Sequence, residues 1–149
     1  LEQLRARGEL SPNLHLLDYQ PAADVPAMLA SADIGVVQLN MEANGMSIPS
    51  KVYSYAAAGL PILAAIPPEN HAARLIRENG LGLVVAPGDN DGLLAAAHRL
   101  LSDPELRAAC GAAGLAFTAR HGDMDRIGRQ FMDFLGQVLL TASRPAQKT

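Results

Sequence analysis

Short apolar runs alternate with helix-type stretches along this chain, and that alternation constrains the fold more than any other feature of the sequence. The runs are rich in Leu, Val and Ile and have strand length, whereas the stretches between them repeat apolar residues at helical spacing. Strands separated by helices pair in parallel, because each helix returns the chain across the sheet. We therefore expect an α/β fold with a doubly wound parallel sheet. The predicted strands are Leu14–Leu17, Asp33–Leu39, Pro61–Ile66 and Leu83–Ala86.

Residues that favour the start or the end of a helix mark the limits of the stretches between the predicted strands. Pro26 and Pro49 suit the first turn of a helix, and Gly59 and Gly80 suit the position just after one. Glu69 and Asn70 follow the third strand, where they read either as a helix cap or as residues near a bound ligand. The predicted helices are Ala22–Ala32, Pro49–Ala58, Asn70–Asn79, Asp91–Leu101, Pro104–Arg120 and Met124–Leu140, and residues 141–149 form a polar tail.

The first eight residues have the pattern of a helix that ends at Gly8, with no start signal before it. We therefore expect residues 1–140 to be a single domain that is incomplete at its start, with further strands upstream of Leu1. No apolar run approaches the roughly 18 residues that a membrane span needs, and no signal peptide is recognisable.

Composition argues against nucleic acid as a partner. The net charge is −3 and no run of Lys or Arg occurs, so a polyanion has little to bind. Aromatic residues make up only 4% of the chain, with no Trp, which leaves few platforms for stacking bases. The single cysteine, Cys110, cannot form an internal disulfide and reads as a small buried hydrophobe, which suits a reducing compartment.

The loop after the second strand and the start of the next helix are the segment best suited to bind a ligand. In open α/β sheets ligands bind beyond the carboxyl ends of the strands, and exposed N–H groups at a helix start attract anions. Ser47 and Ser50 add hydroxyl donors, and Lys51 adds a cation that suits phosphate. A pyrophosphate is the natural ligand, although an ordinary cap beside a solvated lysine would use the same residues.

Residues 48–64, Ile-Pro-Ser-Lys-Val-Tyr-Ser-Tyr-Ala-Ala-Ala-Gly-Leu-Pro-Ile-Leu-Ala, resemble the donor-site motif P-[NS]-K-[LV]-x-E-Y-x-A-x-G-x-P-[IV] of the group 1, or family 4, glycosyltransferases. Residues 13–21 resemble the family pattern N-V-x-F-x-G-x-x-P, and residues 79–89 resemble N-G-x-G-x-x-V-x-P-x-D. Residues 25–36 are similar to L-P-x-L-x-x-x-A-D-x-x-V. The resemblance implies a Rossmann-like domain, the C-terminal half of a GT-B fold, without the N-terminal half that binds the acceptor.

By this resemblance the domain binds a nucleoside-diphosphate sugar such as a UDP sugar, with no metal and no cofactor. Lys51 would be the catalytic residue, because its charge would stabilise the leaving diphosphate. Ser54 departs from the family, which has a Glu there that reaches the ribose, and Met46 stands where many members have a second Glu. The implied binding residues are Tyr19, Gly45, Ser47, Ile48, Ser50, Lys51 and Ser54.

The implied function is transfer of a glycosyl group from that donor to an acceptor in glycan biosynthesis. The expected enzyme is cytoplasmic, with peripheral association of the full-length protein at the inner membrane face left open. Residues 1–149 alone are expected to be inactive, because the acceptor domain is a required partner. Two alternatives stay open: a nucleotide-sugar epimerase-like domain, and a degenerate, non-catalytic module that binds a partner, which the serine at position 54 favours.

Overall fold

The chain folds into a three-stranded parallel sheet flanked by helices, in a computed structural model that describes residues 13–41 and 47–142. The strands are β1 Gly35–Gln38, β2 Ile62–Ala65 and β3 Gly82–Val85, in the order β1-β2-β3. The helices are α1 Val25–Ala30, α2 Lys51–Ala57, α3 His71–Glu78, α4 Asn90–Ser102, α5 Pro104–His121 and α6 Met124–Ala142. The α/β class and the alternation of strands and helices predicted above are confirmed.

The central strand, β2, is buried on both of its faces. It pairs with β1 on one side and with β3 on the other, so that Ile62 lies opposite Gly35 and Gly82. Alternate residues of a strand point to opposite faces of the sheet, and all four residues of β2 are at most 7% exposed. α2 contacts β1 and β2, whereas α4 contacts β2 and β3. A strand covered on both sides is what a doubly wound parallel sheet requires.

The main core cluster joins the sheet to α2 and α3, and one aromatic residue of α5 reaches it as well. Most of its side chains are small or branched, as expected for an alanine-rich chain with few aromatic residues. Such side chains let helices approach the sheet closely. The buried members are Val37, Val52, Ala56, Ile62, Ala64, Ile66, Ala72, Ala73, Ile76, Leu81 and Phe117.

Two glycines allow α5 to pack directly against α2. A Cβ atom at Gly114 would lie 2.9 Å from the carbonyl oxygen of Ala56, and one at Gly111 would overlap the carbonyl oxygen of Gly59. A larger residue at either position would therefore push the two helices apart. The close crossing holds α2 against the sheet, with Lys51 at the first turn of that helix.

The single cysteine is buried in α5, as predicted. Burial raises the pKa of the Cys110 thiol, and the positive charge of Arg99 acts in the opposite direction as the smaller effect. A buried thiol with a raised pKa carries little thiolate at neutral pH and reacts slowly. Cys110 therefore serves as a packing residue.

The predicted strand over Leu14–Leu17 is wrong: residues 14–20 form neither a helix nor a strand. Leu14 and Leu17 are 51% and 70% exposed. An apolar run becomes a strand only when a neighbouring strand pairs with its backbone, and β1 pairs only with β2 within the described sheet. Among the described residues the sheet therefore has three strands where four were expected. Helix α1, which follows residues 14–20, has no buried residue.

The last helix, α6, begins where predicted, with the Asp123 carboxylate accepting a hydrogen bond from the Arg126 N–H at 3.1 Å. Its apolar side chains, among them Ile127, Phe131 and Phe134, are exposed. The predicted helix ending at Gly8 and most of the predicted polar tail, residues 143–149, lie outside the described residues.

Candidate functional site

A cavity of about 400 Å³ lies where β1 ends and α2 begins. Four of the seven predicted binding residues line this cavity, which we call the strand-end cavity. They come from one short loop and the first turn of α2, and the opposite wall comes from β1. The lining residues are Val36, Val37, Gln38, Leu39, Ser47, Ile48, Pro49, Ser50 and Lys51.

The α2 side of the strand-end cavity offers several hydrogen-bond donors. The N–H groups of Val52 and Tyr53 donate to the carbonyl oxygens of Pro49 and Ser50, each at 3.1 Å. Within the described residues, by contrast, the N–H groups of Ser50 and Lys51 have no acceptor. The Ser50 hydroxyl accepts no capping hydrogen bond, so the ordinary cap considered above is not formed. The strand-end cavity therefore suits an anionic oxygen ligand. It offers the N–H groups of Ser50 and Lys51, the Ser50 hydroxyl and the exposed Lys51 ammonium.

A second cavity, of about 480 Å³, adjoins the first at the carboxyl edge of the sheet. The two cavities share Gln38 and Leu39 at the end of β1. The second one extends past Ala65 of β2 to Pro87 and Gly88, which follow β3. A ligand at the carboxyl edge could therefore reach across the whole sheet, which is where open α/β sheets bind their ligands.

The buried side chain of Asn70 joins the loop before α2 to α3. Asn70 is 1% exposed. Its Oδ1 accepts a hydrogen bond from the Ala72 N–H at 2.8 Å, which confirms the predicted helix cap. Its Nδ2 donates to the carbonyl oxygen of Ser47 at 2.9 Å. Sequence reasoning missed this second bond, although a buried amide always has donors to satisfy beyond a cap.

Tyr55 packs α2 against β1 behind the strand-end cavity. Its ring covers Gly35 so closely that any Cβ atom there would overlap the ring. The Tyr55 hydroxyl lies 3.5 Å from the carbonyl oxygen of Val36, and burial raises the pKa of this hydroxyl. The glycine at the start of β1 therefore sets the distance between the strand and α2.

Two of the remaining predicted residues, Ser54 and Tyr19, do not line the strand-end cavity. Ser54 lines a separate cavity of about 340 Å³, which α2 forms with Phe117, Thr118 and His121 of α5. Tyr19 is 95% exposed in the segment before α1 and lines neither cavity. Gly45 lies outside the described residues.

Another cavity, of about 570 Å³, lies between helices rather than at the strand ends. It is lined by residues of α2, α3 and α5, among them His71, Glu78 and His121. Size alone would favour it, but its walls contain no strand residue and none of the predicted binding residues. We therefore take the strand-end cavity as the candidate site.

Fold and cavity together define a Rossmann-like α/β domain with a candidate anion site at the carboxyl edge of its sheet. Residues 1–103 match the family described as glycosyl transferases group 1, and the chain belongs to this family. A stretch of 69 residues is 36% identical to the probable glycosyltransferase WbjE of Pseudomonas aeruginosa. That alignment spans 46% of this chain and 17% of the relative. No solved structure gives a significant match.

The described residues contain neither a membrane-spanning helix nor a cluster of potential metal ligands. None of the helices described here is both long and apolar enough to cross a membrane. Across residues 13–41 and 47–142, no three side chains of the His, Cys, Asp or Glu type come together as potential metal ligands.

Proposed function

We propose that this domain binds a nucleoside-diphosphate sugar, the donor of a glycosyl transfer reaction, with its diphosphate in the strand-end cavity. One observation carries the proposal. This chain belongs to the group 1 glycosyltransferase family, and Ser47, Ser50 and Lys51 line its strand-end cavity. A lysine ammonium together with hydroxyl and N–H donors matches the oxygens of a phosphate. The adjoining cavity over β2 and β3 leaves room for a group attached to the diphosphate.

Lys51 would act on the leaving group in this reaction. As the bond between sugar and diphosphate breaks, negative charge grows on the diphosphate oxygens, and a fixed cation beside them lowers the barrier. Removing one such donor from an enzyme typically costs about 3–4 kcal/mol of transition-state stabilisation. Among the described residues that line the strand-end cavity, none carries a carboxylate. We therefore assign Lys51 an electrostatic role.

The other parts of the reaction are proposed to come from outside this domain. The acceptor would bind a separate N-terminal domain of the full-length protein, and the donor would bind here without a metal or cofactor. We further propose a cytoplasmic enzyme of glycan biosynthesis.

A second function, that of a non-catalytic binding module, is favoured by Ser54. A serine at this position is shorter than the family's usual Glu and carries no charge, and it lines a different cavity from Lys51. Titration calorimetry of the full-length protein with UDP, GDP and ADP distinguishes the two functions. A donor-binding domain should bind at least one of these nucleotides, whereas a module that only holds a partner should bind none.

Ser54 lines a cavity separate from the strand-end cavity. If the ribose nevertheless extends along α2 to position 54, replacing Ser54 with glutamate should tighten binding of the preferred nucleoside diphosphate about fivefold, because a carboxylate makes stronger hydrogen bonds to ribose hydroxyls than a serine does. Affinity for inorganic pyrophosphate should not improve, since the gain concerns the ribose. Ser54→Gln is the matched control, with nearly the same length and no charge. Weaker nucleotide binding by a folded Ser54→Glu protein would show that position 54 does not face the ribose.

A further inference from the structure

We infer that Asn70 is a positioning residue for the proposed donor site. Its side chain fixes the loop that carries Ser47 and thereby sets the direction of the donors at Ser50 and Lys51. The inference rests on the function proposed above. Asn70 does not line the strand-end cavity itself, so it would act on the ligand only through this loop.

Asn70 has the rigidity that this role requires. Its own N–H donates to the carbonyl oxygen of Pro67 at 3.0 Å, and its carbonyl oxygen accepts from the Ala73 N–H at 3.0 Å. The helix that follows is anchored in the core by Ala72, Ala73 and Ile76, which are fully buried. The amide therefore extends from a point that cannot move without disturbing the core.

Among the described residues, the bond from Asn70 connects the loop before α2 to a residue in the core. Ser47 and Ile48 are exposed, and the bond from Asn70 joins Ser47 to a residue 23 positions later in the chain. Ser50 and Lys51 follow Ser47 by three and four residues, so a shift of Ser47 would be felt at both. Sites on loops bind precisely only where a buried supporting residue holds the loop in place.

The bond to Ser47 explains why asparagine suits position 70 better than serine or aspartate, the other common helix caps. Serine or aspartate could accept the hydrogen bond from Ala72, because a cap needs only an acceptor. Aspartate has no donor, and the serine hydroxyl stands on a shorter side chain, whereas the asparagine amide caps α3 and also donates to the Ser47 carbonyl oxygen. Asn70 thus caps α3 and at the same time supports the loop that carries Ser47.

The test is Asn70→Ser in the full-length protein, because serine keeps an acceptor for the cap while its shorter side chain no longer reaches the Ser47 carbonyl oxygen. We expect the affinity to fall roughly three- to tenfold, the usual effect of losing one neutral hydrogen bond. This holds for the preferred nucleotide among UDP, GDP and ADP and for inorganic pyrophosphate. Hydrogen exchange should become faster in peptides covering residues 47–52 and stay unchanged in peptides covering residues 72–79. Asp103→Ser, which alters the cap at the start of α5, is the matched control and should leave both readouts unchanged.

Two results would overturn the inference. One is unchanged affinity in a folded Asn70→Ser protein, and the other is faster exchange in α3 with an unchanged loop, which would leave Asn70 as a cap alone. If the serine variant does not fold, Asn70→Asp keeps the cap, and its loop exchange is measured in the same way. A wild-type protein that binds none of the nucleotides and no pyrophosphate would instead refute the proposed donor site, and with it the role of Asn70 there.

Discussion

Replacing Lys51 with alanine in the full-length protein should weaken binding of the preferred nucleoside diphosphate by about 1.5–3 kcal/mol, the range for a hydrogen bond to a charged group. This corresponds to roughly 10- to 150-fold in Kd. The reason is the position of Lys51, whose ammonium is exposed at the strand-end cavity. It lies beside the N–H groups of Ser50 and Lys51, which have no acceptor among the described residues. Because α2 has only seven residues, the side-chain charge rather than a helix dipole would provide most of the attraction. Titration calorimetry with the nucleotide measures the loss.

The matched control for Lys51 is Arg74→Ala, which removes an exposed cation from the neighbouring helix α3. That variant should change the Kd little, because screening weakens the effect of distant surface charges. Affinity for the nucleoside without phosphates should be the same in Lys51→Ala and in the wild type. Equal affinity of Lys51→Ala and wild type for the diphosphate would make Lys51 a solvated surface residue and would remove the proposed catalytic role.

Replacing Leu100 with alanine should lower the free energy of unfolding by about 2–5 kcal/mol, the usual cost of truncating a buried leucine. Leu100 is fully buried in α4, and α4 contacts β2, β3 and α5. The loss has two parts. The shorter side chain buries less apolar surface, and the truncation leaves a cavity that the surrounding residues fill only in part. Urea unfolding followed by circular dichroism measures it.

The same helix supplies the control for Leu100. Leu94 is 60% exposed, and Leu94→Ala makes the same chemical change in α4 with almost no burial to lose. Its effect should stay within about 0.5 kcal/mol, as for most surface substitutions. Similar losses for the two leucines would mean that α4 does not bury Leu100 against the sheet and α5.

The secondary structure was largely predictable because its signals are local. Gly59 and Gly80, which were expected to end helices, have φ angles of 68° and 65°, a conformation that glycine adopts without the cost that other residues meet. The helices and the last three strands lie within a few residues of their predicted bounds. The segment over Leu14–Leu17 shows the limit of this reasoning, since its apolar pattern suits a strand but pairing depends on a neighbour that the pattern does not specify.

The candidate site was predictable to the extent that its residues are close together in the chain. Ser47, Ser50 and Lys51 lie within five consecutive positions, so any compact loop leading into a helix brings them to one place. Ser54 is one turn further along α2, and the cavity that it lines depends on how α5 packs beside it. No local pattern predicts that packing.

The sequence by itself determined the α/β class, the order of the elements, the family and the cluster around Lys51, because periodicity, turn residues and contiguous motifs are all local properties. Only the tertiary structure decided that three strands pair, that α5 crosses α2 at Gly111 and Gly114, and that the amide of Asn70 supports the loop at Ser47. These features join residues that are far apart in the chain. Burial and close approach select such contacts, and neither is known until the helices are packed on the sheet.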